Sequence, residues 1–171
     1  MDCIVTRVTP FCARLTLCYR NFKRMTNPSE THPLVAKVLK VKPPIAELIG
    51  FEIEGIGEGH AVGSLQTGPQ HYNPMGTVHG GILCDLADAA MGMAFASTCA
   101  PDDGFTTISL NINFFRPVWK SKLLAEARVT NRGKTVGYVE CDVTNEDGKL
   151  VAKANSTCFV LTGVAQRREK S

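Results

Sequence analysis

The clearest periodic pattern in the chain lies in TTISLNINFF, residues 106–115, where hydrophobic and polar side chains alternate. The hydrophobic positions are Ile108, Leu110, Ile112 and Phe114, and the polar positions between them are Thr107, Ser109, Asn111 and Asn113. A period of two residues is typical of a strand that buries one face and exposes the other. The pattern therefore predicts a β-strand here.

Further strand-like runs follow near 122–131, 134–145 and 149–162. The connecting sequences NRGK and NEDGK are short and rich in turn-forming residues, so they predict tight turns between antiparallel neighbours. Upstream, FEIEGIGEGHAVGSLQT, residues 51–67, predicts a hairpin around a glycine-rich turn. Its G-x-G-x-G run lacks the spacing of a dinucleotide-binding motif and the helix that should follow, which favours a turn.

Two helices are predicted before the long strand. The sequence PPIAELIG, residues 43–50, begins with proline and ends with glycine, as short helices often do. The sequence NPMGTVHGGILCDLADAAMGMAFA opens a long helix that we place at residues 73–99. It is apolar on nearly every side, which predicts burial all round, and its many alanines and glycines would let a sheet approach closely.

These elements predict an α+β fold, in which a curved antiparallel sheet of about six strands wraps around one long central helix. The chain has 171 residues, of which 44% are hydrophobic, and this suits a single globular domain. We assign residues 1–42 to an N-terminal extension, 43–165 to the domain and 166–171 to a basic tail.

The net charge of +3 is concentrated at the two ends of the chain. Residues 1–24 contribute +4 and residues 167–171 contribute +2, which leaves −3 for residues 25–166. Nucleic-acid binding needs clustered positive charge on the fold itself, so we expect no nucleic-acid partner. No run of 18 uncharged apolar residues occurs, and we expect no membrane partner.

The compartment follows from the cysteines and from the first residues of the chain. Seven cysteines form no C-x-x-C pair, and most of those after residue 24 lie in apolar runs, which is typical of core cysteines in a reducing, cytoplasmic protein. Residues 1–24 are poor in acids and contain several arginines, and in this they resemble an organellar transit peptide. We prefer to interpret them as an unstructured extension ahead of a start at Met25, with the transit peptide as the alternative.

The predicted long helix carries two carboxylates in apolar surroundings, Asp85 and Asp88. A buried charge of this kind costs several kcal/mol unless it is paired or hydrogen-bonded. Asp85, nearer the helix start, gains more from the helix dipole, and Asp88 is either structural or catalytic. Gly80 and Gly81 would present free amides to a ligand or form a flexible entry, and His79 could simply cap the helix.

Together these residues resemble the hotdog-fold acyl-CoA thioesterases of the phenylacetic-acid-degradation type. The resemblance covers roughly residues 43–162 and rests on order and spacing as well as on residue type. The matching features are Asn73, His79-Gly80-Gly81, Asp88 nine residues after the histidine, Phe115-Arg116-Pro117 after a strand, the NRGK turn at 131–134 and EDGKLVAKA at 146–154.

The resemblance implies that Asp88 is the nucleophile or a general base acting through water, and that the Gly80 amide polarises the thioester carbonyl. It implies that Asn73 and His79 order this end of the site, and that Thr107 helps to hold the attacking water. The predicted substrate-binding residues, which would meet coenzyme A, are Gly81, Arg132, Gly133, Lys134 and Thr135.

This chemistry needs an oxyanion donor and a carboxylate, so we expect no metal and no cofactor beyond the coenzyme A of the substrate. The four histidines do not have the spacing of metal ligands. The sequence contains no G-x-S-x-G motif, which argues against a serine hydrolase. A hotdog hydratase or dehydratase and a non-catalytic acyl-CoA-binding protein remain alternatives. Met91, Phe95 and Phe115 would either line an acyl pocket or belong to the core.

Helix geometry also predicts a partner. Gly80 and Asp88 lie eight residues apart, or about 12 Å along one helix, so a single copy cannot bring both to one thioester. Two antiparallel helices related by a two-fold axis can do so. We therefore expect a homodimer with shared sites, and the resemblance implies that such dimers often double into homotetramers.

Overall fold

The computed structural model describes residues 32–163, which form three α-helices and six β-strands. The helices are α1 (Pro33–Val38), α2 (Pro44–Ile49) and α3 (Gly80–Ala96). The strands are β1 (Phe51–Gly57), β2 (His60–Gln66), β3 (Gly104–Phe114), β4 (Lys122–Arg132), β5 (Val136–Thr144) and β6 (Leu150–Leu161). A single 3-10 turn, Pro69–His71, lies between β2 and α3.

All six strands belong to one antiparallel sheet in the order β1-β2-β4-β5-β6-β3. The sheet contacts α3 through every strand, and so it curves around this helix. The predicted α+β architecture is therefore confirmed, as are the β1–β2 hairpin, the turns that join β4, β5 and β6, and the short helix α2. Strands β1 and β3 form the two edges of the sheet.

The core lies between α3 and the concave face of the sheet. The fully or almost fully buried side chains of α3 are Leu83, Leu86, Ala87, Ala90, Met91, Ala94, Phe95 and Ala96. Small residues allow close packing here: a Cβ on Gly137 of β5 would lie 2.3 Å from the Phe95 ring, so only glycine fits. Cys99, Cys141 and Cys158 are buried free thiols, as the apolar surroundings of these cysteines predict.

Helix α3 differs from the sequence prediction in its start and in its burial. It begins at Gly80 rather than at residue 73, because residues 73–78 fold into a loop and His79 caps the helix. The prediction of burial on all sides is also wrong. Gly81, Asp85 and Asp88 are exposed along one stripe of the helix, so the two carboxylates do not lie in the core.

Strand β3 follows the predicted alternation only in part, because Leu110 and Ile112 are partly buried whereas Ile108 and Phe114 are exposed. A β-bulge between Thr107 and Ser109 leaves Ile108 out of register with β6, and Ile108 is 59% exposed. Such a bulge adds one residue to a strand and shifts which side chains face the core. This explains why a hydrophobic residue in the predicted buried row lies at the surface.

Part of the predicted N-terminal extension folds against the domain. Helix α1 buries Val35, and the His32 imidazole donates to the Asp103 carbonyl at 2.9 Å, ahead of β3. Residues 1–31 and 164–171, which include the predicted transit-like segment and the basic tail, lie outside the described residues. Within residues 32–163, no helix combines the length and the apolar character needed to cross a membrane.

Candidate active site

The N-terminus of α3 presents a backbone amide without an internal partner. His79 is the N-cap residue, and its Nδ1 accepts a hydrogen bond from the Gly81 amide at 2.9 Å. The Ile82 amide donates to the His79 carbonyl at 3.0 Å. For the Gly80 amide, no hydrogen bond is found among residues 32–163. The positive end of the helix dipole makes this N–H a suitable donor to an oxyanion.

The loop before α3 is held by the side chain of Asn73. Its Oδ1 accepts from the amides of Met75 and Thr77, and its Nδ2 donates to the Thr77 hydroxyl at 2.9 Å. The backbone amide of His79 donates to the His71 carbonyl at 2.8 Å, which fixes where the helix begins. Asn73 therefore contacts its own loop, in keeping with the ordering role that the resemblance implies.

Gly80 also lies against an aromatic ring. A Cβ at this position would be 2.9 Å from Cζ of Phe114, at the end of β3, so a side chain here would displace that ring. Phe114 and Phe115 are both about half exposed. The absence of a side chain at Gly80 thus brings the helix N-terminus close to the edge strand.

Asp88 lies two turns further along the exposed stripe of α3, with Asp85 one turn before it. The residue as a whole is exposed, yet protein atoms around its carboxyl desolvate it partly. This burial raises the pKa of Asp88 above its ordinary value, and the nearby charge of Asp85 raises it further. A carboxylate with a raised pKa is a better base near neutral pH.

Thr107 lies beside a buried thiol whose pKa responds to Asp88. Burial raises the pKa of Cys158, and the charge of Asp88 raises it further. The Cys158 sulfur lies 3.9 Å from the Thr107 hydroxyl and 3.8 Å from the Ser156 hydroxyl. Asp88 and Thr107 are therefore linked through Cys158, and the structure records no direct contact between them among the described residues.

The NRGK turn lies beside the C-terminal end of α3. The Arg132 guanidinium stacks over the Phe95 ring with 4.9 Å between its Cζ and the ring centroid, and its Nε donates to the Thr98 hydroxyl at 3.1 Å. A Cβ at Gly133 would lie 2.7 Å from the Val136 carbonyl, so the tight turn requires glycine. Lys134 and Thr135 are exposed. Arg132 is therefore anchored to the helix, while Lys134 projects from the turn.

Of the residues considered for an acyl pocket, Met91 and Phe95 are completely buried and belong to the core, where Phe95 packs edge-on against Phe105.

The sequence did not single out His71 for this region. Its Nδ1 accepts from the Gly68 amide at 3.0 Å and its Nε2 donates to the Ile49 carbonyl at 2.8 Å. His71 links α2 to the loop before α3, and nothing in its sequence surroundings signals this long-range contact.

Within the described part of the chain, no group of three or more His, Cys, Asp and Glu side chains could hold a metal ion. The absence of a metal or cofactor stays a prediction.

Comparison with known proteins agrees with this fold. A family model described as the thioesterase superfamily matches residues 75–152, which span α3, β3, β4, β5 and the start of β6. The Acyl-coenzyme A thioesterase PaaI of Escherichia coli K12 is 33% identical over 127 residues, covering 70% of this chain and 87% of the relative.

Solved structures give the same result. The E. coli PaaI protein of the phenylacetic acid degradation operon has a TM-score of 0.70 at 27% identity, covering 76% of this chain and 93% of that one. A hypothetical thioesterase from Streptococcus pneumoniae, solved with coenzyme A, has a TM-score of 0.61 at 28% identity, covering 66% and 87% of the two chains.

The chain belongs to the thioesterase superfamily and has the hotdog fold of its PaaI-like members. The family that the Asn73, His79-Gly80-Gly81 and Asp88 pattern predicts is thereby confirmed. The relatives named above are called thioesterases, in agreement with the predicted enzyme class.

Proposed function

We propose that this protein is an acyl-CoA thioesterase that hydrolyses the thioester to a free carboxylic acid and coenzyme A. The observation that carries the proposal is that α3 presents both groups that this reaction needs, an oxyanion donor and a carboxylate. The Gly80 amide at the start of the helix has no hydrogen-bond partner among the described residues. The Asp88 carboxyl, whose pKa is raised, lies on the exposed stripe of the same helix. The superfamily membership and the names of the relatives support the reaction class.

In the proposed reaction, the Asp88 carboxylate attacks the thioester carbon or removes a proton from a water molecule that attacks it. Negative charge develops on the carbonyl oxygen, and the Gly80 amide stabilises it by hydrogen bonding. The carbon–sulfur bond then breaks, and coenzyme A leaves as a thiolate that takes up a proton. Where Asp88 attacks directly, water then hydrolyses the mixed anhydride, which releases the carboxylic acid and restores the carboxylate. The Thr107 hydroxyl, next to the Cys158 thiol, is proposed to hold the water.

The site is completed by a second copy of the chain. Gly80 and Asp88 belong to one continuous helix, so they are separated by about 12 Å along its axis, too far to act on one carbonyl group. Strand β3 is an edge strand of 11 residues, and it packs against α3. Pairing of two β3 edges would set the helices antiparallel, with Asp88 of one copy near Gly80 of the partner subunit.

Coenzyme A would lie along the turn between β4 and β5. The exposed ammonium of Lys134 is free to meet a phosphate, and Arg132 is held in place by Phe95 and Thr98. A related S. pneumoniae protein was solved with coenzyme A, which supports coenzyme A as the carrier. We also propose that the protein is cytoplasmic, with an organelle as the alternative location. Its proposed assembly is a homodimer or a dimer of dimers.

The Asp88→Asn variant tests the proposed function. Asparagine keeps the size of the side chain but cannot act as nucleophile or base, so kcat should fall by about 10² or more while the fold is kept. Thiol release from a panel of acyl-CoA thioesters, followed with a thiol-reactive dye, measures the effect. Asp85→Asn is the matched control and should lose far less activity. Equal activity of both variants and the parent would reject the assignment.

A further inference from the structure

The Thr107 hydroxyl has one hydrogen-bond partner among the described residues, and that partner is a buried thiol. Its Oγ1 lies 3.9 Å from the Cys158 sulfur, a separation at which the larger sulfur atom still forms a weak hydrogen bond. Thr107 is partly buried, whereas Cys158 is completely buried. The hydroxyl therefore lies between the core and the open edge of the sheet.

The backbone fixes this contact. Thr107 and Cys158 lie opposite each other in the antiparallel pairing of β3 with β6, so their side chains are on the same face of the sheet. The β-bulge begins directly after Thr107 and shifts the register of the residues that follow. Bulges are common next to active sites, where they aim a side chain. Thr107 is thus the last residue in register before the bulge, and the fold sets its contact with Cys158.

A second hydroxyl lies against the Cys158 sulfur. Ser156 Oγ is 3.8 Å away, and Ser156 is almost completely buried. Burial raises the pKa of Cys158, and the charge of Asp88 raises it further, so the group is a neutral thiol near neutral pH. A neutral thiol can accept a hydrogen bond from one hydroxyl and donate one to another. Ser156, Cys158 and Thr107 therefore form a short polar chain from the core to the edge strand.

The direction of the Thr107 proton decides what this hydroxyl can do for a water molecule. In the proposed hydrolysis, water attacks with a lone pair and gives up one proton, so its second proton needs an acceptor. A threonine hydroxyl has one proton and two lone pairs. When that proton is donated to sulfur, both lone pairs are left for the water. Without the sulfur, the hydroxyl would rotate freely.

We propose that Cys158 is a positioning residue for the hydrolysis. Its sulfur accepts the proton of the Thr107 hydroxyl and so presents the Thr107 oxygen to the attacking water as an acceptor. This inference rests on the proposed function. Because Cys158 is completely buried, it does not touch the substrate. It therefore acts on the step that uses water and leaves the binding of acyl-CoA unchanged.

Cys158→Ala removes the acceptor and tests the proposal. Its kcat should fall by about three- to tenfold, as for one lost hydrogen bond, while KM stays within about twofold of the parent. Thiol release from acyl-CoA measures both constants. Cys141→Ala is the matched control. Cys141 is a similarly buried thiol on β5, opposite Ala154 and so about 13 Å along β6 from Cys158, and its loss should leave kcat unchanged. Equal kcat values for the two variants would overturn the inference.

A double-mutant cycle separates positioning from a general loss of packing. Thr107→Val removes the hydroxyl and nearly keeps the shape of the side chain. In that background, Cys158→Ala should change kcat by less than about 1.5-fold, because no hydroxyl is left to orient. A loss as large as in the parent background would show that Cys158 acts through packing alone. Thermal melting shows whether the alanine variant folds, and Cys158→Val, which fills the site with an apolar side chain, replaces it if it does not.

The infrared S–H stretching band follows the hydrogen bond without turnover. The difference between the spectra of a protein with Cys158 and its Cys158→Ala variant isolates the band of this thiol. Thr107→Val should shift the band, and an unchanged band would overturn the inference. If the band shifts but the parent hydrolyses no thioester, the proposed function fails and the catalytic role of Cys158 fails with it. If the parent hydrolyses thioesters and needs Asp88, but Cys158→Ala behaves like Cys141→Ala, only this inference fails.

Discussion

The Asp88 carboxyl differs from an ordinary surface aspartate because two effects act on it in the same direction. Partial desolvation disfavours its charged form, and the Asp85 carboxylate one turn away repels a second negative charge. Both effects raise the pKa of Asp88. The partial charges of the helix dipole lie at the two ends of α3, and Asp88 lies near the middle of the helix, so the dipole does not cancel these effects. Asp85 therefore contributes to the raised pKa of Asp88, the proposed catalytic carboxyl.

This coupling predicts a pH dependence of turnover. Asp88 acts only when deprotonated, so kcat should be full above its raised pKa and should fall as the pH drops through it. Asp85→Asn removes the like charge and lowers the pKa of Asp88, so the acid limb of the pH–rate profile should move to lower pH. Steady-state rates measured across the acid limb show the shift.

Asp142→Asn is the control for this experiment, because Asp142 pairs with Lys153 on the outer surface of the sheet. Its acid limb should coincide with that of the parent. An unchanged limb in Asp85→Asn, or a limb that moves to higher pH, would show that Asp85 does not act on the catalytic group.

The oxyanion role of Gly80 can be tested with two substitutions that add the same Cβ. Gly80→Pro removes the amide hydrogen, and proline is well tolerated at the first position of a helix, particularly after the extended backbone of His79. Gly80→Ala retains the amide. Both variants displace Phe114, so this effect cancels in the comparison, and the proline variant differs by its ring carbons and by the lost amide hydrogen. We expect Gly80→Pro to lower kcat by about 10²–10³ relative to Gly80→Ala. Similar rates would exclude the amide as the donor.

At the scale of elements, the β4–β5 turn contains one anchored cation and one exposed cation. Arg132 supports the end of α3 through Phe95 and Thr98, whereas Lys134 is exposed and has no such contact among the described residues. Lys134→Ala should raise KM for a full acyl-CoA by several-fold, more at low salt, and leave kcat nearly unchanged. The matching pantetheine thioester, which lacks the nucleotide, should show no change. An equal effect on both substrates would place the phosphates elsewhere.

The elements with regular periodicity could be predicted from the sequence, and the exceptions have identifiable causes. The alternation in β3 and the turns around β5 gave the correct strands, because pleated strands impose a period of two. The start of α3 was placed seven residues too early. The loop is formed by side-chain bonds from Asn73 and by a left-handed Gly76, which a hydrophobic pattern does not register.

The candidate site could be predicted only in part. The spacing of His79 and Asp88 singles out these residues as candidates, but the predicted burial of Asp85 and Asp88 is wrong, since the small residues of α3 do not reveal which stripe of the helix is exposed. Contacts between distant segments could not be predicted. The effect of Asp88 on Cys158 depends on the packing of α3 against β6, and the contact of Thr107 with Cys158 depends on the pairing of β3 with β6; neither leaves a local signal in the sequence.

For the whole molecule, the central claim is that each active site is built by two copies of the chain. The continuous helix separates Gly80 from Asp88, and β3 leaves one edge of the sheet open for pairing. An antiparallel dimer would create two equivalent sites, each with a carboxylate from one copy and an amide from the other. A single chain would then have both groups and no complete site.

Mixing two inactive variants tests this claim most directly. Asp88→Asn and Gly80→Pro are refolded together in equal amounts, so that random pairing makes half of the dimers mixed, and each mixed dimer has one intact site. The account predicts that the mixture recovers about a quarter of the parent activity, while each variant refolded alone stays inactive. No recovery in a mixture that demonstrably contains mixed dimers, or full activity of a monomer at the assay concentration, would contradict the shared site.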